Sequence, residues 1–226
     1  MKYVSVAIDG PAGSGKSTIT KLVAKELGYN YVDTGAMYRA LTYNFLSNGL
    51  KELEENDIKN LLENVDFRVE YVNGVQYVYV NDVEVSDKIR TAEVSKYTSL
   101  FAKSPAVREF LIDTQRNLAG TNNIIMDGRD IASVVLPNAD VKIFLTASVE
   151  ERARRRMLDF ERQGIENVDF EKVKEDIKAR DWQDENRDIA PLIKVESATL
   201  IDTTTMTIEE VVARMTNLVK VVENRD

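Results

Sequence analysis

The segment that follows the first apolar run of the sequence has the residue types and spacing of a phosphate-binding loop. Residues 10–17 read Gly-Pro-Ala-Gly-Ser-Gly-Lys-Ser and match the pattern G-x-x-x-x-G-K-[ST]. Glycines at this spacing let successive backbone N–H groups surround a phosphate, and a following helix adds positive potential. Lys16 would reach the β- and γ-phosphates, and Ser17 a Mg²⁺ ion. We expect nucleotide binding by Gly10, Pro11, Ala12, Gly13, Ser14, Gly15, Lys16, Ser17 and Thr18.

Two further polar segments each follow a short apolar run. The first, residues 33–39, reads Asp-Thr-Gly-Ala-Met-Tyr-Arg, and the second, residues 127–130, reads Asp-Gly-Arg-Asp. If both runs are parallel strands, these segments meet the phosphate-binding loop at one edge of the sheet. Thr34, Arg39 and Arg129 would then contact an anionic acceptor, and Asp130 would supply a hydrogen-bond acceptor. Asp127 or Asp33 would hold Mg²⁺ together with Ser17. A capped helix start and an ordinary turn are the plain alternatives for the two segments.

A third group of candidates is rich in arginine. Arg152, Arg154, Arg155 and Arg156 follow Glu150 and Glu151 in a segment that we expect to be a helix capped by Ser148. Pairing of Glu150 with Arg154 and of Glu151 with Arg155 would make this an ordinary solvated face. Four guanidinium groups in five positions favour instead a lid helix that neutralises charge on a transferred phosphoryl group. Farther along, Arg180, Asp184 and Arg187 have the spacing of one helical face, which an ion-pair ladder would also explain.

The alternation of apolar runs and helical spacing predicts the elements that position these residues. Short apolar runs at residues 3–8, 30–32, 124–126, 141–145 and 200–201 predict strands, and residues 19–27, 107–118 and 208–222 have helical spacing. This order predicts an α/β fold, a five-stranded parallel sheet with helices on both faces. Residues 65–85 differ, because apolar and polar residues alternate on each side of Asn73-Gly74, which predicts a small antiparallel β-hairpin insert.

Composition narrows the classes of function. The chain has 226 residues, no Cys and no His, so disulfides, thiol or imidazole catalysis and Cys or His metal sites are excluded. The net charge of −8 argues against binding of a nucleic-acid polymer. No apolar run is long enough for a membrane span, and no secretory signal is visible at the N-terminus. We therefore expect a cytoplasmic protein that does not bind membranes.

Taken together, these motifs resemble those of the bacterial cytidylate kinases, and the resemblance covers essentially the whole chain. It includes I-D-G-P-A-G-S-G-K-S at 8–17, D-T-G-A-M-Y-R at 33–39, S-P-A-V-R-E at 104–109, D-G-R-D at 127–130 and E-R-A-R-R-R-M at 151–157. It ends with R-D-x-x-D-x-x-R-D-x-A-P-L at 180–192. One departure is that the family usually has G-R-D-x-G-T, where this chain has Ala132 and Ser133 at the last two positions.

The resemblance implies transfer of the γ-phosphoryl group of ATP to CMP or dCMP with Mg²⁺, by a monomer with a P-loop nucleoside monophosphate kinase fold. It implies a single kinase domain over 1–226, a monophosphate-binding insert over 36–105 and a helical lid over 152–172. The residues implied for catalysis are Lys16, Arg129, Arg152, Arg155 and Arg156. Those implied for CMP are Thr34, Tyr38, Arg39, Ser99, Arg108, Arg129, Asp130, Arg180, Asp184 and Arg187.

The chemistry of the base agrees with this implication. Cytosine presents an amino donor beside acceptors, so that a carboxylate and an arginine complement it, whereas uracil would place a carbonyl against Asp130. That mismatch would cost roughly 1–3 kcal/mol. The adenine of ATP is expected near residues 203–205. Two other functions remain open: a kinase for another small acceptor, such as UMP, dTMP or shikimate, and a non-catalytic nucleotide-binding module. A GTPase is disfavoured because no Asn/Thr-Lys-x-Asp segment follows a late strand.

Overall fold

The computed structural model of the chain describes residues 3–72 and 74–224. Within these ranges the chain divides into two compact units. The phosphate-loop unit comprises residues 4–27 and 125–224, and the middle unit comprises residues 3, 28–72 and 74–124. No helix of the described residues is both long and apolar enough to cross a bilayer.

A five-stranded sheet has the strand order β2-β6-β1-β7-β8 in the described ranges. Its strands are β1 (Ser5–Asp9), β2 (Asn30–Asp33), β6 (Ile124–Gly128), β7 (Val141–Thr146) and β8 (Thr199–Asp202). β1 pairs with β7, and β7 with β8, in parallel register. Val6, Ala7 and Ile8 are fully buried, which explains why β1 reads as a continuous apolar run. The sheet confirms the predicted fold class and its five strands.

Four helices belong to the phosphate-loop unit as the structure describes it: α1 (Lys16–Leu27), α6 (Val149–Arg162), α7 (Phe170–Glu185) and α8 (Ile208–Glu223). α8 begins with a capping box in which Thr207 and Glu210 satisfy each other's backbone amides. Its predicted apolar stripe supplies buried Val211, Met215 and Val219.

The middle unit combines four helices with a three-stranded antiparallel sheet within residues 28–72 and 74–124. The helices are α2 (Thr34–Ser47), α3 (Glu55–Glu63), α4 (Ala92–Phe101) and α5 (Pro105–Thr121), and the strands are β3 (Phe67–Val72), β4 (Val75–Val80) and β5 (Val83–Glu84). The predicted hairpin is therefore extended by β5, a two-residue strand too short to show alternation. Gly74 has a positive φ of 77°, and Asn73 lies outside the described residues.

The sheet of the middle unit packs on the helix that carries the Asp33–Arg39 segment. Val78 and Val80 point to the same side of β4 and form a buried cluster with Ala36 and Ala40 of α2. This packing places the start of α2 against the antiparallel sheet. The antiparallel sheet thus supports the first polar segment, residues 33–39.

Candidate active site

The phosphate-binding loop leaves β1 at Asp9 and enters α1 at Lys16. Gly10 has a φ of +150°, and a Cβ on it would lie 1.9 Å from the carbonyl oxygen of Leu145. Gly13 has a φ of +74°. No side chain fits at the first position, and the second is a left-handed conformation that favours glycine. The glycines of the motif are therefore required by the fold of the loop itself.

The Lys16 ammonium is held against the backbone of this loop. Its Nζ donates to the carbonyl oxygens of Gly10 and Pro11, both at 2.7 Å, and to Ser14 Oγ at 3.3 Å. Burial and the positive charge of Arg129 lower the pKa of Lys16 below its ordinary value, while nearby carboxylates oppose this shift. An anionic phosphate near Nζ would stabilise the charged ammonium that burial disfavours.

Two side-chain oxygen atoms suited to bind Mg²⁺ lie close together beside the phosphate-binding loop. Ser17 Oγ donates a 2.8 Å hydrogen bond to Asp127 Oδ2, and Asp127 is buried at the end of β6. In the described ranges no three acidic residues are arranged so that they could hold a metal ion among them. Mg²⁺ in nucleotide sites typically takes one or two protein oxygens and completes its shell with phosphates and water. The hydroxyl and carboxylate of this pair fit that requirement.

Asp130 begins a π-helical turn, Ile131–Val135, that follows β6. Its carbonyl oxygen accepts from the amides of Val134 and Val135, and its side chain is 7% exposed. Ala132 is not among the non-glycine residues with a positive φ, so the alanine found in place of the family's glycine fits without backbone strain.

The turn is joined to the phosphate-binding loop by the carboxylate of Asp9, which is not one of the predicted site residues. Asp9 Oδ1 accepts from the Ile131 amide and Asp9 Oδ2 from the Ala132 amide, each at 2.8 Å. Burial and the nearby charge of Asp130 outweigh these bonds and the charge of Lys16, and they raise the pKa of Asp9 to about 6.

Arg129 and Asp184, predicted separately, are in contact. Arg129 Nε donates to Asp184 Oδ2 at 2.7 Å. Arg180 is an exposed residue of α7. The prediction that Arg187 shares a helical face with Arg180 and Asp184 is wrong, because α7 ends at Glu185 and Asn186 caps it. Arg187 instead lies in the following loop, where its Nε donates to the carbonyl oxygen of Ala190 at 2.6 Å.

Arg152 of α6 is a buried part of the loop's surroundings. Its guanidinium makes a bidentate pair with Asp181, at 2.9 and 2.6 Å, and donates to the carbonyl oxygens of Ala12 and Ala147. The residue is 4% exposed. This arginine therefore connects α6, α7 and the phosphate-binding loop.

Arg155 and Arg156 have different surroundings from Arg152. Arg155 Nη1 donates to the Ser14 carbonyl oxygen at 3.2 Å and to Thr203 Oγ1 at 3.0 Å. Arg156 is exposed, and its guanidinium lies 4.8 Å from the Phe160 ring centroid. Arg155 therefore joins the phosphate-binding loop to the segment expected near adenine.

The predicted cap of α6 is confirmed, and one of the two ion pairs of the solvated-face alternative is present. Ser148 accepts from the Glu151 amide, and Glu151 pairs with Arg155 at 3.0 Å. Glu150 and Arg154 do not form the other ion pair of that alternative, since Arg154 lies 3.5 Å from Glu151. Glu150 instead pairs with Lys174 of α7 at 3.4 Å, because α7 packs along α6 and offers a cation across the helices.

In the middle unit, Asp33 organises the start of α2. Its Oδ1 caps the helix by accepting from the Ala36 amide at 2.8 Å, and its Oδ2 pairs with Arg39 at 3.3 Å. Gln76 of β4 bonds both backbone groups of Asp33, accepting from its N–H and donating to its carbonyl oxygen. Thr34, the first residue of α2, is buried. Both oxygens of Asp33 thus have partners, whereas Asp127 touches the predicted metal-binding hydroxyl.

The remaining predicted residues of the middle unit lie on three helices. Tyr38 and Arg39 are half-buried on α2, Ser99 is exposed on α4, and Arg108 is 4% exposed on α5. α5 begins with Ser104 as its cap and Pro105 in its first turn. A buried guanidinium such as Arg108 is uncommon unless it is paired.

Three positioning residues were missing from the predicted site: Asp9, Asp181 and Gln76. Asp9 and Asp181 lie inside motifs noted in the sequence, directly before the phosphate-binding loop and directly after Arg180. A carboxylate at each of these positions was a usable signal. Gln76 gives none, because it is one polar residue in an alternating strand.

Comparison with known proteins gives a consistent result. The cytidylate kinase family model matches residues 6–221. A cytidylate kinase of Leuconostoc mesenteroides is 48% identical over 220 residues, covering 97% of this chain and 98% of its own. One from Alkaliphilus oremlandii is 49% identical over 97% of this chain and 99% of its own, and one from Streptococcus suis is 47% identical over the full length of both.

The fold also resembles that of a solved structure. An uncharacterized protein from Eubacterium ventriosum superposes with a TM-score of 0.53 at 12% identity, covering 96% of this chain and 98% of that one. At this identity the likeness concerns the fold alone.

Proposed function

Because the chain belongs to the cytidylate kinase family, we propose that it transfers the γ-phosphoryl group of ATP to CMP or dCMP, forming ADP and CDP or dCDP. The observation that carries this proposal is the arrangement at two neighbouring strands of the phosphate-loop unit. β1 leads into a complete phosphate-binding loop, and β6 leads into the buried carboxylate Asp130. A nucleotide phosphate and a base with an amino group are the ligands that match these two features.

ATP is proposed to bind at the phosphate-binding loop. Backbone amides of residues 10–18 would surround its phosphates, and Lys16 would exchange its carbonyl partners for phosphate oxygens. Arg155 supports the placement of adenine near residues 203–205, because its guanidinium bonds both Ser14 of the loop and Thr203. One guanidinium would thereby set the distance between the phosphate and base ends of the nucleotide.

Mg²⁺ is proposed to be held by Ser17 and Asp127, with Asp33 acting as a helix cap instead. The ion would neutralise phosphate charge and hold the γ-phosphoryl group in line for transfer. Asp127 keeps Ser17 Oγ oriented through their hydrogen bond, so both oxygens face one ligand position.

The proposed contacts of the acceptor nucleotide are described for each unit by itself. In the phosphate-loop unit, Asp130 would accept from the cytosine amino group, Arg129 would bind the acceptor phosphate and Asp184 the sugar. The pair between Arg129 and Asp184 keeps these two groups at a fixed separation. In the middle unit, Arg39 would bind the acceptor phosphate, and Asp33 holds that guanidinium at the start of α2. The further proposed contacts are Thr34, Tyr38, Ser99, Arg108, Arg180 and Arg187.

Transfer itself asks for position and charge rather than for a strong base. The attacking oxygen belongs to a phosphate that is already ionised near pH 7, so no side chain has to remove a proton. Lys16, Arg129, Arg152, Arg155 and Arg156 would supply positive charge, and a lid over residues 152–172 would exclude water and thereby limit hydrolysis of ATP. We expect the protein to act in the cytoplasm, as a monomer.

The experiment that tests this proposal is the substitution Asp130→Ala. We expect kcat/KM for CMP to fall by about 10- to 100-fold, because a charge-assisted hydrogen bond to the base is lost. The KM for ATP should change less than about twofold. The matched control is Asp176→Ala, which removes an exposed carboxylate of α7 and should leave both parameters unchanged.

Three results would contradict the proposal. Equal losses for ATP and CMP in Asp130→Ala would remove the base-reading role of Asp130. Phosphorylation of UMP by the unaltered protein at the same rate as CMP would show that the acceptor site does not distinguish cytosine. Binding of ATP and CMP with no turnover would instead indicate a non-catalytic nucleotide-binding protein.

A further inference from the structure

Asp9 lies outside the proposed contacts, yet its carboxylate bridges the two features on which the proposed function rests. Asp9 is the last residue of β1 and directly precedes the phosphate-binding loop. Both of its carboxylate oxygens accept hydrogen bonds from the consecutive backbone amides of Ile131 and Ala132. These amides belong to the first two residues after Asp130. The carboxylate is 2% exposed, so water does not compete for it.

The two backbone amides that donate to Asp9 need a hydrogen-bond acceptor from outside their own turn. The first N–H groups of any helical turn have no carbonyl partner within the turn. Here Asp130 has a non-helical backbone, with φ −143° and ψ 24°, and makes no side-chain cap bond of its own. The cap comes instead from a residue more than 120 positions earlier in the chain. Two charge-assisted bonds therefore fix the backbone that directs the Asp130 side chain.

We infer that Asp9 is a positioning residue for base selection, which holds the turn after Asp130 so that the Asp130 carboxylate faces the cytosine amino group. This inference rests on the proposed role of Asp130. A nucleotide-binding role for Asp9 itself does not fit, because both of its oxygens already have protein partners. Asp9 also ends the strand that enters the phosphate-binding loop, so one side chain sets the register between donor and acceptor features.

The charge balance around Asp9 supports a role beyond packing. Asp130 and Lys16 are the charged groups that act on it, the first unfavourably and the second favourably. Burial is the largest effect, and it raises the pKa of Asp9 to about 6. A serine or asparagine could cap one amide without placing a second negative charge beside Asp130. The carboxylate is the one side-chain group of this length that accepts from both amides at once.

The test compares base selectivity in Asp9→Asn and in the unaltered protein. Asparagine has one acceptor oxygen, and its NH₂ group would face one of the two amides. We expect the ratio of kcat/KM for CMP to that for UMP to fall about tenfold, with the KM for ATP nearly unchanged. Asp140→Asn is the matched control, because Asp140 accepts from Ser5 at the opposite end of β1. It should leave the ratio unchanged.

Asp130→Ala, measured alongside, separates the two hypotheses. If Asp130→Ala lowers the ratio and Asp9→Asn does not, the inference about Asp9 is overturned and the proposed function stands. If Asp130→Ala leaves the ratio unchanged, base reading by Asp130 fails and the inference fails with it. An equal rise of the ATP and CMP KM values in Asp9→Asn would also overturn the inference, since it would show a general disturbance of the loop.

A second measurement uses only the unaltered protein, so it does not depend on whether a variant folds. The selectivity ratio of the unaltered protein is measured from pH 7 to pH 5, across the pKa of Asp9. Protonation of Asp9 turns one acceptor oxygen into a donor that faces an amide, so the ratio should fall as the pH drops below about 6. The phosphates of CMP and UMP titrate alike and cancel in the ratio. A ratio that stays constant over this range would overturn the inference.

Discussion

Asp181 compensates a buried positive charge beside the phosphate-binding loop. The Arg152 side chain is 5% exposed, and its bidentate pair with Asp181 joins α6 to α7. Removal of one partner from a buried pair leaves the other charge unpaired. We expect Asp181→Ala to lower the free energy of unfolding by about 3 kcal/mol. The KM for ATP should also rise, because Arg152 donates to the Ala12 carbonyl oxygen of the loop. Urea unfolding and steady-state kinetics measure both effects.

The control for Asp181→Ala removes a carboxylate from an ion pair at the protein surface. Asp159 lies 3.5 Å from Arg162 on α6, and the two side chains are 50% and 76% exposed. Asp159→Ala should change the free energy of unfolding by less than about 0.5 kcal/mol, because water screens the pair. If both variants lost the same stability, burial of Arg152 would not be the reason for the effect of Asp181.

Sequence patterns predicted which residues belong to the site better than they predicted which residues contact each other. The spacing of residues 10–17 indicated the loop, since glycine positions and the Lys-Ser pair depend only on local chain geometry. Partners such as Asp9 for Ile131 or Asp181 for Arg152 depend on which strands and helices become neighbours. Helical spacing pairs Glu150 with Arg154, but the packing of α7 brings Lys174 to Glu150 instead. Local periodicity carries no information about such contacts.

At the element scale, Gly35 limits how the start of α2 can be built. A Cβ at Gly35 would lie 3.0 Å from Arg39 Nη1 and 3.2 Å from Asp33 Oδ1. The guanidinium is the end of a flexible side chain and can move away, so Gly35→Ala should leave the free energy of unfolding within about 1 kcal/mol of its original value. Displacement of Arg39 from Asp33 should raise the KM for CMP about fivefold, equivalent to about 1 kcal/mol. The KM for ATP should stay the same.

Gly120 provides the same substitution in another helix. It lies within α5, and a Cβ there would meet no atom within 4 Å. Gly120→Ala should raise the free energy of unfolding by about 0.5–1 kcal/mol through helix propensity and leave both KM values unchanged. If Gly35→Ala behaved like Gly120→Ala in kinetics, the position of Arg39 would not matter for the acceptor.

Elements were predictable where burial on both faces or a cap residue left a local signal. β1 and β6 are almost continuously buried and read as apolar runs, and Ser148 and Ser104 each cap a helix that the spacing had indicated. Boundaries were less predictable. α7 ends before Arg187 because Asn186 caps it, and nothing in the spacing of Arg180, Asp184 and Arg187 marks that end. β5, with two residues, is shorter than any period that a pattern can show.

The net charge of the chain is −8, but this sum does not describe where the positive side chains lie. Lys16, Arg129, Arg152 and Arg155 all hydrogen-bond within the phosphate-loop unit, and each of them donates to a carbonyl oxygen of the phosphate-binding loop or of Gly128. The acidic excess includes exposed residues such as Asp82 and Glu171. Charge that is concentrated in this way suits a mononucleotide and not a polymer, which would need a broad basic surface.

The ionised carboxylate of Asp9 should destabilise the whole fold. The pH dependence of the free energy of unfolding tests this expectation. Its pKa rises from an ordinary value of 3.8 to about 6 in the folded state, mainly through burial. The folded chain therefore binds this proton more tightly than the unfolded chain does. The resulting stabilisation is fully present below pH 3.8 and is lost as the pH rises through 6. At pH 7 the ionised carboxylate makes the fold less stable than a neutral group would.

Urea unfolding of the unaltered protein and of Asp9→Asn at several pH values between 7 and 4 measures this contribution. The difference between their free energies of unfolding should shift in favour of the unaltered protein by about 3 kcal/mol as the pH falls, since other carboxylates titrate alike in both. A difference that is constant with pH would mean that Asp9 is not held at a raised pKa. A shift of the expected size would mean that the chain retains a destabilising charge at pH 7. Such a cost is expected where a residue is selected for the site it positions and not for stability.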